Sequence, residues 1–183
     1  MIKGKKVAFR ALERGDLPLI RDWRNIPYLR KHFREPMELN MLNQEAWLPK
    51  VTASKNDFMF MVEELATGEP VGVVGLTYIN WIIRSGEISL YIGKNDSYID
   101  DEGLAEDAVR LIIKYGFEIL NLNKIWTELY EYDHKKMAIY EKFNMNRDGV
   151  LRDNCFYRNR YWDSYLVSIL RSEYVTDEEN DVG

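Results

Sequence analysis

The chain has 183 residues, of which 46% are hydrophobic and 30% charged, and its formal net charge is −5. That length suits one domain that buries about two thirds of its unfolded surface, and no run approaches the roughly 18 apolar residues of a membrane span. The acidic balance disfavours nonspecific nucleic-acid binding. Cys155 is the single cysteine, which excludes an internal disulfide, and the two histidines, His32 and His134, lie far apart, so no metal site is expected.

Lys5–Ala11 alternates and reads as a first strand. Asp16 is placed to cap a helix over Leu17–Arg24, with Leu17, Ile20 and Trp23 on its apolar stripe. Pro27 ends that helix, and a short helix over Tyr28–Phe33 follows. Asn43–Val51 reads as a helix shortened or kinked by Pro49. Asp57–Glu64 and the strand that opens near Pro70 form an antiparallel pair around the turn Ala66–Pro70.

The centre of the chain is Glu87–Leu120. In Glu87–Gly93 the residues Ile88, Leu90 and Ile92 alternate with Glu87, Ser89 and Tyr91, the period of a strand. After Gly103 the residues Leu104, Ala108, Ile112, Tyr115 and Ile119 recur at helical spacing. A strand that turns through glycine into a helix start gathers unpaired N–H groups at one point, where an anion such as a phosphate is stabilised. An ordinary βα connection has the same geometry. A second strand over Lys124–Glu131 and a short helix carrying Tyr140 come next. Val150–Arg158 and Arg160–Leu170 read as a final hairpin. The segment 175–183 is an acidic tail expected to be disordered, which leaves 1–174 as the domain. Basic residues in the first ten positions have no apolar stretch of signal-peptide length beside them, so a cytoplasmic protein is expected.

This order, with Asp100-Asp101-Glu102-Gly103-Leu104-Ala105 before the helix and Asp133 followed at the seventh place by Tyr140-Glu141-Lys142, resembles the GNAT family of acyl-CoA-dependent N-acetyltransferases. The likeness covers nearly the whole chain and is nearest in flavour to the ribosomal-protein and aminosugar branch, including a pseudaminic-acid pathway enzyme. It implies a single α/β (α+β) GNAT-like domain, a mixed and mostly antiparallel twisted sheet with helices on both faces. It also implies acetyl-CoA as donor, a small-molecule amine as acceptor, and a monomer or homodimer.

By that resemblance the diphosphate of acetyl-CoA sits on backbone N–H groups around Gly103, Leu104 and Ala105, with Asp133 near the cofactor path. The pantetheine arm runs along Leu90, Tyr91 and Ile92. Tyr140 is the candidate general acid, since a phenol with a pKa of about 10 is protonated at neutral pH; otherwise it is a tyrosine packed on the core. Glu87 is the candidate base, or a surface carboxylate. Cys155 lacks a base partner and reads as a small half-buried residue. Trp23, Arg24, Asn25 and Arg30 resemble the acceptor segment of aminosugar acetyltransferases; Arg24, Arg30 and Arg34 would grip a nucleotide diphosphate, and Trp47 and Trp81 would stack on a ring.

Asp100, where the family carries a basic or amide residue, and its neighbours Asp101 and Glu102 depart from the pattern, because like charge repels a diphosphate by about 1 kcal/mol per pair at 4 Å in water. The expected function is therefore transfer of an acetyl group to a nucleotide-linked aminosugar. An N-terminal protein amine or a polyamine is the alternative acceptor, and a catalytically silent GNAT-like binding domain is the alternative of another class.

Overall fold

The computed structural model describes residues 1–35 and 37–176; residues 177–183 of the acidic tail lie outside them. The described residues form one eight-stranded sheet of strands β1 (Ile2–Lys3), β2 (Val7–Ala11), β3 (Phe58–Glu64), β4 (Pro70–Asn80), β5 (Ser85–Ile92), β6 (Lys124–Tyr130), β7 (Asn146–Tyr157) and β8 (Arg160–Leu170), in the order β1-β2-β3-β4-β5-β6-β8-β7. All neighbours run antiparallel except β5 and β6, which are parallel and joined by helix α4 (Leu104–Lys114).

The two faces of the sheet are set by the alternation of side chains. Phe58, Phe60, Val74, Leu76, Ile88 and Leu90 share one face, as the pairings Phe60↔Val74 and Val74↔Leu90 require. Tyr115, on the π-helical turn Tyr115–Ile119 after α4, packs its ring on Phe58 and Phe60 there. Met61, Val73, Ser89, Tyr91 and Glu87 share the other face, which faces helices α1 (Leu17–Asn25) and α2 (Pro27–Arg30), the following loop, and α3 (Met41–Ala53). The mixed, mostly antiparallel sheet with helices on both faces is the expected architecture.

Local chemistry explains where the boundaries differ from the sequence reading. Asp16 does not cap α1: its carboxylate accepts from the Glu13 N–H at 2.8 Å and from both Arg10 Nη atoms at 2.7 and 2.8 Å, which holds the preceding turn to β2. Helix α3 starts two residues early because Asn40 and Asn43 cap each other, side chain to backbone, at 2.9 and 3.0 Å. Pro49 is accommodated inside α3, which runs on to Ala53. Asp107 ties α4 to β2 by accepting the N–H groups of Lys6 and Val7 at 2.7 and 3.0 Å.

Trp23 is a core residue, 6% exposed, with its indole laid flat where a Cβ on Gly93 would come within 2.1 Å of the ring. It meets Tyr91 edge-on at 6.3 Å. The acceptor-binding role expected for Trp23 is therefore corrected: it anchors α1 to the end of β5. Replacement Trp23→Ala should destabilise the fold by about 3–5 kcal/mol, measured by urea unfolding.

Candidate active site

Strands β5 and β6 pair over three positions, Ser85↔Lys124, Gly86↔Ile125 and Glu87↔Trp126, and then part. Each continues against its outer neighbour, β5 with β4 and β6 with β8. The Thr127 hydroxyl bridges the start of the gap by donating to the Ile88 carbonyl at 3.2 Å. The Ile92 N–H also points to the open side but is already given to the Tyr98 carbonyl at 2.8 Å. Between these two, strand alternation turns the N–H and C=O of Leu90 into the gap, whereas those of Tyr91 face β4. Of the three residues expected to hold the pantetheine arm, Leu90 is thus the one whose backbone faces the gap without a strand partner.

A cavity of about 620 Å³ opens on the Glu87 face of this gap, between Ser89, Tyr91 and Thr127 on the sheet and Gln44 and Trp47 on α3. Glu87, read from sequence with a surface carboxylate as its bland alternative, is 6% exposed. It accepts from Arg34 Nη2 at 2.7 Å, and the same nitrogen lies 3.2 Å from Glu128 Oε2 on β6. Burial raises the Glu87 pKa, and the nearby Glu128 charge adds to the rise against the pull of Arg34. Glu128 itself is oriented through its other oxygen by Asn154 Nδ2 at 2.7 Å and the Ser164 hydroxyl at 2.8 Å.

Tyr140 on α5 (His134–Lys142) is 1% exposed, and its hydroxyl has no hydrogen-bond partner among the described residues. Burial pushes this phenol well above its ordinary value, so it stays protonated. Asp133 caps the same helix through the Lys136 N–H at 3.3 Å and accepts the Tyr98 hydroxyl at 2.7 Å. His32 stacks on Tyr98 at 3.8 Å and brings Nδ1 within 3.3 Å of Asp133. Burial works to raise the Asp133 pKa, but His32, Tyr98 and the Lys136 charge together hold it below the ordinary carboxylate value. Asp133 is therefore a buried anion that fixes the start of α5 and, with it, Tyr140.

At the start of α4, Gly103 is left-handed with φ +86°, and a Cβ there would come within 3.0 Å of Lys6 Nζ. The Leu104 and Ala105 N–H groups, expected to hold a diphosphate, are taken by the Asp100 carboxylate at 2.8 and 2.7 Å. The other acids of the loop are neutralised by lysines: Asp101 by Lys135 at 3.0 Å, Glu102 by Lys94 at 3.4 Å and Glu106 by Lys142 at 2.5 Å. A second cavity, of about 250 Å³, lies beside Gly103 with Lys5, Lys6 and Arg110 on its walls. Only Asp100 stands directly on the amides.

The arginines expected to grip a nucleotide diphosphate are each already on a carboxylate: Arg24 on Glu35 at 2.9 Å, Arg30 on Glu38 at 2.7 Å, and Arg34 on Glu87 and Glu128. Asn25 clasps the Leu39 backbone through both side-chain atoms, at 2.7 and 2.8 Å, and so shapes the loop rather than facing the cavity. Trp81 lies outside the cavity lining, its indole N–H donating to the Lys55 carbonyl at 3.0 Å and its ring meeting Phe58 edge-on. Sequence reasoning did not single out Glu128, Gln44, His32 or Lys6. The alternation Lys124–Tyr130 placed Glu128 on one face of a strand, but the register that sets it beside Glu87 is not written locally.

The model of the acetyltransferase (GNAT) domain matches residues 6–146. The chain belongs to the GNAT family. A spermidine N(1)-acetyltransferase of Vibrio cholerae is 31% identical over 175 residues, 95% of this chain and 98% of that protein, and its Escherichia coli K12 counterpart is 28% identical over 180 residues, covering 98% and 94%. A crystal structure of the Vibrio cholerae enzyme in complex with CoA and spermine superposes with a TM-score of 0.85 at 30% identity over 93% of this chain and 99% of that one. These relatives correct the expected branch: spermidine acetyltransferases match over nearly the full length. A putative ribosomal N-acetyltransferase of Bacillus subtilis matches 60% of this chain at 26% identity.

This GNAT domain is an N-acetyltransferase with acetyl-CoA as its donor. The donor fits the residues present: the Leu90 backbone in the strand gap, the buried Tyr140 hydroxyl without a partner, and the lysines around Gly103. Asp100 is the departure, since a diphosphate at the Leu104 and Ala105 amides must first displace its carboxylate. Replacement Asp100→Ala should therefore tighten acetyl-CoA binding, most at low salt, while lowering the melting temperature through loss of a helix cap worth about 0.5–2 kcal/mol. Calorimetric titration at two ionic strengths, alongside thermal unfolding, measures both.

Proposed function

We propose that this GNAT domain acetylates a primary amine of a polyamine, with spermidine or spermine as the acceptor class. The observation that carries this reading is the charge state of the acceptor cavity. Arg24, Arg30 and Arg34 each carry a carboxylate on one nitrogen, and Glu87 and Glu128 converge on a single nitrogen position. Gln44, 4% exposed, is among the residues that line the same cavity, and its carbonyl oxygen has no partner among the described residues. Carboxylates and an amide oxygen call for N–H donors, and a polyamine supplies several along one chain. The full-length similarity to spermidine N(1)-acetyltransferases supports the same acceptor.

In this mechanism the acceptor arrives as an ammonium ion and must lose a proton before it attacks. Glu87 is the base: its raised pKa makes it a better proton acceptor than an exposed glutamate, and it stands where β5 and β6 begin to part. The neutral amine attacks the thioester carbonyl held along Leu90, the carbon–sulfur bond breaks, Tyr140 donates its hydroxyl hydrogen to the departing sulfur, and the proton then shed by the acylated nitrogen restores the phenol. Positioning the two reactants together supplies up to roughly 7–11 kcal/mol of the barrier reduction.

Assays with spermidine, spermine, a nucleotide-linked aminosugar and an N-terminal peptide should give turnover with the polyamines alone; turnover confined to the aminosugar would sink the reading. Because Glu87 must be ionised, kcat/KM should rise with pH through an ionisation above the ordinary glutamate value, and Glu87→Gln should remove that limb while lowering kcat by about 10²–10⁴. Replacement Tyr140→Phe should lower kcat with little change in acetyl-CoA affinity.

We further infer an assembly larger than the expected monomer or homodimer. A dodecameric structure is known for the Vibrio cholerae spermidine N-acetyltransferase, at a TM-score of 0.77 to this chain. Strand β7 is an edge exposed along most of its length, with Phe156 62% exposed and, across the hairpin, Tyr161 63% exposed. Light scattering on the purified protein measures the mass directly.

A further inference from the structure

We propose that Glu128 and Glu87 together form the subsite for the reacting ammonium, and that Arg34 Nη2 is its internal occupant, displaced when the acceptor binds. This deepens the polyamine reading and rests on it. Arg34 Nη2 lies 2.7 Å from Glu87 Oε1 and 3.2 Å from Glu128 Oε2, the contacts a primary ammonium would make with two carboxylates. The two acids come from adjacent strands at the point where those strands part, so a nitrogen held there stands at the mouth of the gap that presents the Leu90 backbone.

Three features mark this as a ligand position rather than a structural ion pair. First, Glu128 is 14% exposed by side chain and pre-oriented by two neutral donors, Asn154 and Ser164, which leaves its second oxygen for the cavity. Second, Arg34 is the loosely held member: its side chain is 50% exposed, against 8% for Glu87. It comes from the loop after α2, whereas both carboxylates sit on strands. Third, Gln44 and Tyr91, 4% and 5% exposed, are among the residues that line the same cavity, and neither Gln44 Oε1 nor the Tyr91 hydroxyl has a hydrogen-bond partner among the described residues. A buried polar atom left without a partner is costly, and a second nitrogen of the same acceptor would supply the donor that Gln44 lacks.

Proton transfer follows without a further reagent. The ammonium that replaces Arg34 gives one proton to the Glu87 carboxylate and becomes a neutral amine, while Glu128 stays ionised and holds the remaining N–H groups. Glu128 is thus a positioning residue, and Arg34 sets how readily a cation enters.

The test compares wild type, Arg34→Ala and Arg34→Gln with spermidine as acceptor and guanidinium chloride at low millimolar concentration as the probe. Both variants should lower the KM for spermidine roughly two- to fivefold, the worth of an ion pair half open to water, with thermal unfolding confirming the fold. Guanidinium should inhibit the two variants competitively against spermidine and leave wild type, whose subsite holds its own guanidinium, almost unaffected. Glu128→Gln should raise the KM roughly tenfold or more and leave the acid limb of the kcat/KM profile in place. An unchanged or raised KM in both Arg34 variants, or guanidinium inhibition equal in all three proteins, would overturn the proposal. If no polyamine is turned over, the acceptor reading fails by itself. Binding of guanidinium to Arg34→Ala but not to wild type, read by calorimetry, would then still establish the subsite, and its absence would remove it.

Discussion

The parting of β5 from β6 is the constraint on which the rest of the site depends. Two parallel strands that pair for three residues and then separate leave polar backbone in the middle of a sheet, a place where such groups are almost always satisfied. The split persists because each strand is committed elsewhere, β5 to β4 from Glu87 to Ile92 and β6 to β8 from Lys124 to Tyr130. Side chains and turns close what they can: Thr127 reaches Ile88, and the loop at Tyr98 covers Ile92. Leu90 is left between them. Glu87 stands where that opening begins, and Glu128 lies across from it.

The helix that carries Tyr140 depends on a second buried constraint. Asp133 lies in the protein interior as an anion, and the cost of burying that charge is offset by the Tyr98 hydroxyl, the adjacent His32 and the Lys136 charge. His32 is itself held neutral by burial and stacked on Tyr98. The loop after α2, the segment before α4 and the start of α5 therefore share one polar contact. The loop that carries Arg34 meets this contact through the His32 ring, through Phe33 against Tyr98, and through the Lys31 carbonyl, which accepts the Tyr132 hydroxyl at 2.6 Å.

Much of the fold was legible because it rests on local pattern. Alternation in Lys5–Ala11 and Glu87–Gly93, the helical spacing after Gly103 and the turn at Ala66–Pro70 each name an element without knowledge of the others. Motif order made the positive-φ glycine before α4 legible, and the buried positions of Asp133 and Tyr140 agree with that order. The site was misread where function was carried over from a local likeness. Trp23, Arg24, Asn25 and Arg30 read as an acceptor grip because they resemble the acceptor segment of aminosugar acetyltransferases. In the fold Trp23 fills the space over Gly93, Asn25 clasps Leu39, and the arginines meet Glu35 and Glu38. A basic cluster in sequence says nothing about its counter-ions. Here these follow a few residues later, and those that neutralise Arg34 lie more than fifty residues away. Glu128 escaped notice for the same reason, since only the β5–β6 register brings it to Glu87.

Asp100 and Arg34 pose the same physical problem with opposite sign. A helix start with open N–H groups and a pair of converging carboxylates are both poorly satisfied without a ligand, and each is met here by a side chain of the complementary charge. Such stand-ins stabilise the ligand-free protein and weaken ligand binding by the same free energy, because the side chain must be released to solvent before the ligand enters. The two differ in how tightly they are held. Asp100 makes two short hydrogen bonds to backbone from a position four residues away, whereas Arg34 reaches its carboxylates from an exposed loop with much rotamer freedom to regain. On the proposed reading, release of Arg34 therefore opposes acceptor binding less than release of Asp100 opposes the donor, and the affinity for acetyl-CoA is the one that this sequence has weakened most.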